Sequence, residues 1–418
     1  MYHKTVLDNG LKIISERVEY ARSVSIGIWV NAGSRDEENS ENGVSHFIEH
    51  MSFKGTENRN ALQIAKELDA IGGMFNAFTG KENTCFHAKV LGKHFSVVAD
   101  ILSDIFLNSV FDPADIEKER GIILQEIKML EDTPEDYIHD LLQREFWKDD
   151  PIGNPILGTK DSIMGIDRNK ILDYIKSHYS PENVIISAAG AIDHNDMVGA
   201  FSPLFEKIAP CDSDPKRLPP RPNVAHSFYY RDLEQVHMCL GVEAVSIKDE
   251  KRFAVSLLNT IMGGNMSSRL FQEIREKQGL AYSVYSFLSS YTDSGMLGIY
   301  VACESEHVNT VLSIINNEIK RFLVGDITHS DMAAARDYMV GGIYLASEST
   351  ESRMIRMARN ELIFGRYVPY EETISNIEAV RLDDVVEMAN MIFKDQTLSL
   401  VTLGPVDEHN LALDKLML

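Results

Sequence analysis

The two halves of the 418-residue chain repeat one order of predicted strands and helices. In the first half these are a strand at 24–30, helices near 43–54 and 61–71, a hairpin around 74–90, and helices near 93–108 and 113–131. In the second half the matching elements are a strand at 236–242, helices near 250–262 and 268–277, a hairpin at about 281–302, and helices near 305–323 and 329–348. The repeat indicates duplication of one structural unit.

A proline-rich connector lies between the halves. Five of the 13 prolines fall within 209–225, where they disfavour helices and suit an extended segment. The predicted domains are therefore residues 1–208, this connector, and residues 226–418. We expect an α+β class in which each domain is a mainly antiparallel sheet with helices packed on one face.

The composition excludes several kinds of partner. A formal charge of −22 and a pI near 5.0 disfavour binding to nucleic acid or anionic lipid. No run of about 18 apolar residues is present to span a membrane. The four cysteines are widely spaced, and the first residues lack the apolar core of a signal peptide. We therefore expect a cytoplasmic protein without nucleic-acid or membrane partners.

The segment His46-Phe47-Ile48-Glu49-His50 has the H-x-x-E-H order of an inverted zincin motif. On a helix, residues four apart lie one turn apart, so the two imidazoles can converge on one ion with Glu49 beside them. The apolar stripe of Val44, Phe47, Ile48 and Met51 would face the core. The alternative is that the three polar residues form an ordinary solvated helix face.

A catalytic zinc ion takes three protein ligands and keeps one open position, so a third ligand must come from another segment. The best candidate is Glu126, on a helix that Asp112 and Pro113 are suited to begin. Glu119 lies seven residues earlier, about 10 Å away along the helix axis. Only one of the two can be a ligand, and an ordinary surface glutamate is the alternative for each.

These segments resemble the family of pitrilysin, insulin-degrading enzyme and the mitochondrial processing peptidase β subunit, especially its short bacterial members. The distance from His50 to Glu126 is 126 − 50 = 76 positions, as in that family. The resemblance extends to 72–79, 263–271 and 275–282, and it therefore covers most of the chain.

The resemblance implies a role for each of these segments. It marks Glu119 as an assisting residue near the metal. It makes the strand of Phe75, Asn76, Ala77, Phe78 and Thr79 a binding site for extended substrate. It assigns Arg275 and Tyr282 to substrate binding, with Tyr282 also assisting catalysis.

The family closes a chamber with four such domains, whereas this chain supplies two, so the resemblance implies a homodimer. Each subunit would lend Arg275 and Tyr282 to the zinc site of the other. The second half has Leu258-Asn259-Thr260-Ile261-Met262 where the first has its metal motif, which predicts one metal site per chain.

The predicted function is that of a zinc-dependent endopeptidase that cleaves extended or unfolded peptides in a dimeric clamshell chamber. His46, His50 and Glu126 would hold zinc, and Glu49 would act as general base on the attacking water. The main alternative is a catalytically silent assembly or binding subunit. The second is a zinc hydrolase acting on a non-peptide substrate.

Overall fold

The computed structural model describes residues 1–208, 217–394, 398–407, 409 and 411, which form two compact units. The first unit contains Met1–Met129, Asn154–Arg217 and Leu345–Val368. The second unit contains Leu130–Gly153, Leu218–Tyr344 and the chain from Pro369 onward. Both units are sheets covered by helices, which confirms the predicted α+β class.

The first unit contains a six-stranded sheet with the order β1-β2-β6-β3-β5-β4. Its strands are β1 (Tyr2–Val6), β2 (Lys12–Arg17), β3 (Ser23–Val30), β4 (Met74–Thr79), β5 (Thr84–Leu91) and β6 (Val184–Gly190). Neighbouring strands are antiparallel except β2 and β6. Strand β4 lies at one edge, where it pairs only with β5 among the described strands.

The helices of the first unit pack mainly on one face of this sheet. They are α1 (Val44–Ser52), α2 (Ala61–Ala70), α3 (Phe95–Asn108), α4 (Pro113–Glu131, which ends in the second unit), α6 (Lys160–Gly165), α7 (Arg168–His178) and α8 (His194–Phe205). The core on this side joins Ile26 and Ile28 of β3 to Phe47 of α1 and Phe201 of α8. Alternation along β3 turns Trp29 toward the opposite face.

That opposite face is covered by helix α12 (Thr350–Phe364) from late in the chain. Met354 and Met357 of α12 pack with Trp29 and Cys85 of the sheet, and all four side chains are buried. The Ser25 hydroxyl lies 2.8 Å from the Thr350 hydroxyl at the start of this helix. The first sheet is thus enclosed on both faces.

The second unit repeats this arrangement with a five-stranded sheet of order β7-β11-β8-β10-β9. Its strands are β7 (His226–Tyr230), β8 (Val236–Ala244), β9 (Ala281–Ser290), β10 (Gly295–Cys303) and β11 (Ser399–Gly404). Its helices are α5 (Pro134–Phe146), α9 (Arg252–Gly263), α10 (Val308–Leu323), α11 (His329–Ser347, which ends in the first unit), α13 (Tyr370–Ala379) and α14 (Leu382–Phe393), and a π-helical turn spans Phe271–Glu276. Helix α5, from early in the chain, covers the face that carries Cys239 and Tyr300.

The units therefore differ from the predicted domains in two segments. Residues 130–153 belong to the second unit and residues 345–368 to the first, because α5 and α12 bury their apolar sides against those sheets. The predicted connector is described from Arg217 onward, where it forms neither helix nor strand up to Ala225. Its remaining part, 209–216, lies outside the described residues.

Among the described residues, no helix is both long and apolar enough to cross a bilayer. Cys85, Cys239 and Cys303 are buried free thiols, and Cys211 falls outside the described part of the chain. Burial raises the pKa of the Cys85 thiol well above its ordinary value. These three cysteines therefore act as small apolar core residues.

Candidate metal centre

Helix α1 begins at a buried carboxylate that the sequence analysis did not single out. Gly43 precedes the helix with a left-handed φ of 94°, which favours glycine. Glu37 accepts hydrogen bonds from the Gly43 N–H at 2.7 Å and the Ser45 N–H at 2.8 Å. These hydrogen bonds satisfy N–H groups that a helix leaves unpaired at its N-terminus, so Glu37 caps the start of α1.

The two faces of α1 have the predicted character. Val44, Phe47, Ile48 and Met51 are buried in the core of the first unit. His46, Glu49 and His50 lie on the other side of the helix, where the two imidazole centroids are 4.6 Å apart. The periodicity that buries the apolar stripe therefore also directs both histidines to one place.

Helix α4 brings the third candidate ligand to the same place. Asp112 caps this helix as predicted, because its side chain accepts a hydrogen bond from the Ala114 N–H at 2.8 Å. Ile116 and Ile123 are buried against the sheet side. Glu126, one turn beyond Ile123, is only partly exposed and points toward the two histidines.

Three donor atoms converge between the two helices. Glu126 Oε2 lies 3.4 Å from His50 Nε2 and 3.7 Å from His46 Nε2. Ligand atoms of the three residues all lie within 4.8 Å of one another. These contacts are longer than the usual N–H···O distance of about 2.9 Å, so they are poor hydrogen bonds.

The same distances suit a tetrahedral metal ion. With metal–ligand bonds of about 2.0–2.1 Å, neighbouring ligand atoms of a tetrahedron lie about 3.3 Å apart. Two imidazole nitrogens and one carboxylate oxygen are also the donor types that zinc prefers in a catalytic site. The chemistry and spacing of His46, His50 and Glu126 therefore fit zinc.

The protonation of His46 is consistent with a ligand. Burial, followed by the neighbouring His50, lowers the pKa of His46 to about 4, so the ring is neutral at pH 7. A neutral imidazole has a lone pair to offer a metal. Its Nδ1 is buried without a hydrogen-bond partner among the described atoms.

Glu119 occupies a different position from Glu126. Its Oε2 lies 3.1 Å from His50 Nδ1, and its Oε1 lies 2.7 Å from Lys54 Nζ. A hydrogen on Nδ1 that is donated to Glu119 leaves the His50 lone pair on Nε2, facing Glu126. The Glu119 side chain is buried, and Lys54 compensates its charge.

Glu49 lies beside this cluster and contacts the edge strand. The Thr79 hydroxyl donates a hydrogen bond of 2.6 Å to Glu49 Oε2. Burial raises the pKa of Glu49, while the Thr79 hydrogen bond opposes that shift. A carboxylate with a raised pKa is a stronger base.

The five residues predicted to bind substrate divide between two faces. Phe75 and Ala77 pack on the α1 side of the sheet, and Thr79 also points to that side. Phe78 packs on the opposite side with Trp29, and Asn76 is exposed. Asn76 Oδ1 accepts a hydrogen bond from the Ala77 N–H at 2.9 Å.

A cleft of about 330 Å³ adjoins the cluster in the first unit. Its wall combines aromatic, polar and charged groups: Glu49, His50, Phe53, Lys54, Phe75, Asn76, Ala77 and Glu119. Apolar side chains with a few convergent polar groups are typical of a binding site.

The remaining predicted site residues belong to the second unit. The Arg275 guanidinium lies over the ring of Tyr282, 4.4 Å from its centroid, and Tyr282 is 78% exposed. The segment Leu258–Met262 of α9 contains no histidine, cysteine, aspartate or glutamate that could bind a metal ion. Within the described part of that unit, the potential ligand group Glu304, Glu306 and His307 is largely exposed, as acidic turns commonly are.

Sequence reasoning missed two contributors, Lys54 and Glu37, and it missed the contact between Thr79 and Glu49. Lys54 lies two residues beyond the end of α1, and no local pattern places it beside Glu119, which belongs to another helix. Strand alternation places the Thr79 side chain on the same face as those of Phe75 and Ala77, but it does not indicate the contact with Glu49. Glu37 had no local signal, because an irregular loop brings it to the helix.

The family descriptions match most of the chain. "Insulinase (Peptidase family M16)" matches residues 12–160, and "Peptidase M16 inactive domain" matches residues 165–339. The chain therefore belongs to peptidase family M16, as the resemblance predicted. The candidate centre lies entirely within the first matched region.

Several curated relatives are similar over nearly their whole length. An uncharacterized zinc protease of Streptomyces coelicolor is 37% identical, covering 97% of this chain and 90% of that protein. The uncharacterized zinc protease YmxG of Bacillus subtilis is 38% identical, covering 96% and 98%.

Two solved structures share the fold. A protease from Helicobacter pylori has a TM-score of 0.89 at 18% identity and covers 97% of this chain and 99% of that chain. A peptidase M16 inactive domain from Pseudomonas fluorescens also has a TM-score of 0.89 at 18% identity, with coverage of 97% and 98%. At this identity the likeness concerns the fold.

Proposed function

We propose that this protein is a zinc-dependent endopeptidase that hydrolyses extended or unfolded peptides. The observation that carries the proposal is the convergence of His46, His50 and Glu126, with Glu49 on the same helix face. The relatives from Streptomyces coelicolor and Bacillus subtilis are named uncharacterized zinc proteases, which agrees with the proposal. The alternative of a silent subunit has no comparable support, since all four of these side chains are present.

His46 and His50 would hold zinc through Nε2, and Glu126 through its carboxylate. A bound zinc ion supplies Lewis acidity, which makes water a stronger acid and polarises a carbonyl group. Glu119 would hold the His50 ring in the required tautomer through Nδ1, with Lys54 balancing its charge.

Glu49 would take the proton from the attacking water and pass it to the amine that leaves. Two observations support this role. Its carboxylate lies at the wall of the cleft, where a peptide bond could approach. Burial also raises its pKa, which favours its action as a base.

The peptide would bind in an extended conformation along the edge of β4. An edge strand offers unpaired main-chain groups, and an added strand pairs with them whatever its side chains are. Phe75, Ala77 and Thr79 would then face α1, and Asn76 and Phe78 the other side. A folded protein has no free extended segment for this edge, which favours unfolded substrates.

We also propose a homodimer that encloses the substrate, in which Arg275 and Tyr282 of one subunit complete the zinc site of the other. Tyr282 is well exposed, and the stacked Arg275 holds its ring. An exposed Tyr–Arg pair is a composition enriched at protein interfaces and suited to binding a peptide carbonyl.

The experiment that tests the function is metal analysis combined with cleavage of an unfolded peptide. Wild type should contain about one zinc per chain and cleave the peptide. The Glu49→Gln variant should retain zinc and lose cleavage, because an amide cannot accept the proton. Equal cleavage by both proteins, without zinc, would exclude the proposed enzyme.

A further inference from the structure

The hydrogen bond between Thr79 and Glu49 joins the end of the edge strand to the helix of the H-x-x-E-H motif. Its length, 2.6 Å, is at the short end of the range for a hydroxyl donating to an oxygen. Thr79 has a hydroxyl as its only polar side-chain group, and Glu49 Oε2 is the acceptor. The contact ties one carboxylate oxygen of Glu49 to the edge strand and leaves Oε1 outside this hydrogen bond.

Strand alternation explains why the hydroxyl reaches this helix. Side chains two residues apart point to the same face of a sheet, so Thr79 follows Phe75 and Ala77 toward α1. Thr79 is the last residue of β4 and pairs with Thr84 across the hairpin. Thr84 is fully buried, and its hydroxyl donates to the Ala32 carbonyl at 3.0 Å.

The turn that follows Thr79 is held against the loop at 33–36. The Ser34 N–H donates to the Gly80 carbonyl at 3.1 Å, and the Arg35 N–H donates to the Lys81 carbonyl at 2.8 Å. A Cβ atom on Gly33 would collide with the Gly80 carbonyl oxygen, so only glycine permits this close approach.

Arg217, at the start of the described part of the connector, binds the loop at 33–36. Its guanidinium pairs with both carboxylate oxygens of Asp36 at 2.7 and 2.9 Å and donates to the Glu82 carbonyl at 2.8 Å. The next residue after Asp36 is Glu37, which caps α1. The turn after Thr79 and the start of the helix that carries Glu49 are therefore both hydrogen-bonded to the same loop.

We propose that Thr79 is a positioning residue that orients the carboxylate of Glu49 for proton transfer. This inference rests on the proposed function, in which Glu49 is the base. The terminal torsion of a glutamate is soft, so a carboxylate without this partner can rotate. The hydroxyl restricts that torsion and so holds the carboxylate of Glu49, which lines the cleft, in one orientation. Orientation of this kind contributes to rate more than to substrate binding.

The test compares Thr79→Val with Thr79→Ser in the full-length protein. Valine keeps the shape and strand preference of threonine but removes the hydroxyl, whereas serine keeps the hydroxyl. We expect Thr79→Val to lower kcat about 10- to 100-fold with KM and zinc content unchanged. Thr79→Ser should retain kcat within about three-fold, because the donor remains.

Thr402→Val is a matched control for replacing a strand hydroxyl with a methyl group. Thr402 is buried in the second unit, and its Oγ1 has no hydrogen-bond partner among the described atoms. The kcat of the Thr402→Val variant should equal that of wild type. A wild-type kcat for Thr79→Val, or equal losses for the Val and Ser variants, would overturn the inference while leaving Glu49 as the base.

A second measurement does not depend on activity. High-resolution crystal structures of wild type and Thr79→Val should differ in the Glu49 carboxylate, which should rotate or become disordered in the variant. An unchanged carboxylate would overturn the inference, whether or not the protein cleaves peptides. If wild type is inactive but the Glu49 carboxylate rotates in Thr79→Val, the proposed function is wrong, while the result supports Thr79 as the residue that orients this carboxylate.

Discussion

Glu119 and His50 form a close pair, with Glu119 Oε2 3.1 Å from the ring nitrogen that faces away from Glu126. The two glutamates of α4 therefore contact opposite nitrogens of the His50 ring and have different surroundings. Glu126 meets both Nε2 atoms, while Glu119 meets Nδ1 and Lys54. The two carboxylates should therefore respond differently to the same substitution.

Glu126→Gln should weaken zinc binding more than Glu119→Gln does. At position 126 the amide oxygen of the introduced glutamine would be a far poorer ligand than a carboxylate, whereas loss of an outer partner typically costs about 10- to 100-fold in metal affinity. Competition with a coloured chelator measures both affinities. The opposite order would mean that Glu119 is the ligand.

Lys54→Met should destabilise the metal-free protein because it leaves the buried Glu119 charge without its compensating partner. The same substitution should have little effect in a Glu119→Gln background. Urea unfolding of wild type, the two single variants and the double variant gives the interaction energy between Lys54 and Glu119, which we expect to be about 1–3 kcal/mol. An energy near zero would remove Lys54 from the site.

Two inactive chains should restore activity together if the zinc site is shared between subunits. Glu49→Gln lacks the base, and Tyr282→Phe lacks the hydroxyl lent to the partner. A mixture should contain dimers with one intact site, detected by peptide cleavage after subunit exchange. The control pairs Glu49→Gln with Glu126→Gln, which damage the same site and should give no recovery. Absence of recovery in the first mixture, with exchange demonstrated, would exclude sharing.

Glu37 should make stability fall as the pH rises toward neutrality. Burial raises its pKa from 4.5 to about 7 in the folded protein, although the hydrogen bonds to α1 oppose the shift. Between pH 4.5 and about pH 7 the folded state binds more protons than the unfolded state. The contribution of Glu37 to the free energy of unfolding is therefore fully present below pH 4.5 and is lost as the pH rises to about 7. The loss should be about 3 kcal/mol.

Denaturant unfolding of wild type and Glu37→Gln across this pH range measures that contribution. The stability of the variant relative to wild type should rise with pH, because the amide does not ionise. Glu38→Gln, a change at the exposed neighbouring residue, should leave the pH dependence as in wild type. A pH-independent difference between wild type and Glu37→Gln would contradict the prediction.

Met354→Ala should destabilise the protein by about 2–5 kcal/mol, because Met354 is fully buried between α12 and the first sheet. Met164 lies in a helix of the same unit but is 57% exposed. Its replacement by alanine should therefore change stability by no more than about 0.5 kcal/mol. Thermal and urea unfolding distinguish the two, and equal effects would mean that α12 contributes no packing.

The sequence allowed the polar face of α1 and the start of α4 to be predicted, because both follow from local rules. Helical periodicity places His46, Glu49 and His50 on one face, and the cap at Asp112 sets the phase of the helix that carries Glu126. The prediction that α1 and α4 meet relied on the family resemblance. No local rule specifies which helices pack together.

Other features depended on the tertiary structure. The Glu37 cap arises from a loop, and Lys54 acquires its role only because Glu119 approaches from another helix. The exchange of α5 and α12 between units was not predicted, because an apolar helix face does not indicate which sheet it will cover. Strand alternation in β4 was readable, but alternation alone does not say that the Thr79 side of the strand meets Glu49.

The exchange of α5 and α12 has a consequence for dividing this chain into fragments. Cutting the chain at the proline-rich connector would give two fragments. The N-terminal fragment would lack α12, which covers its sheet, and the C-terminal fragment would lack α5, which covers its own. Neither should be soluble alone, whereas co-expression should let them reassociate.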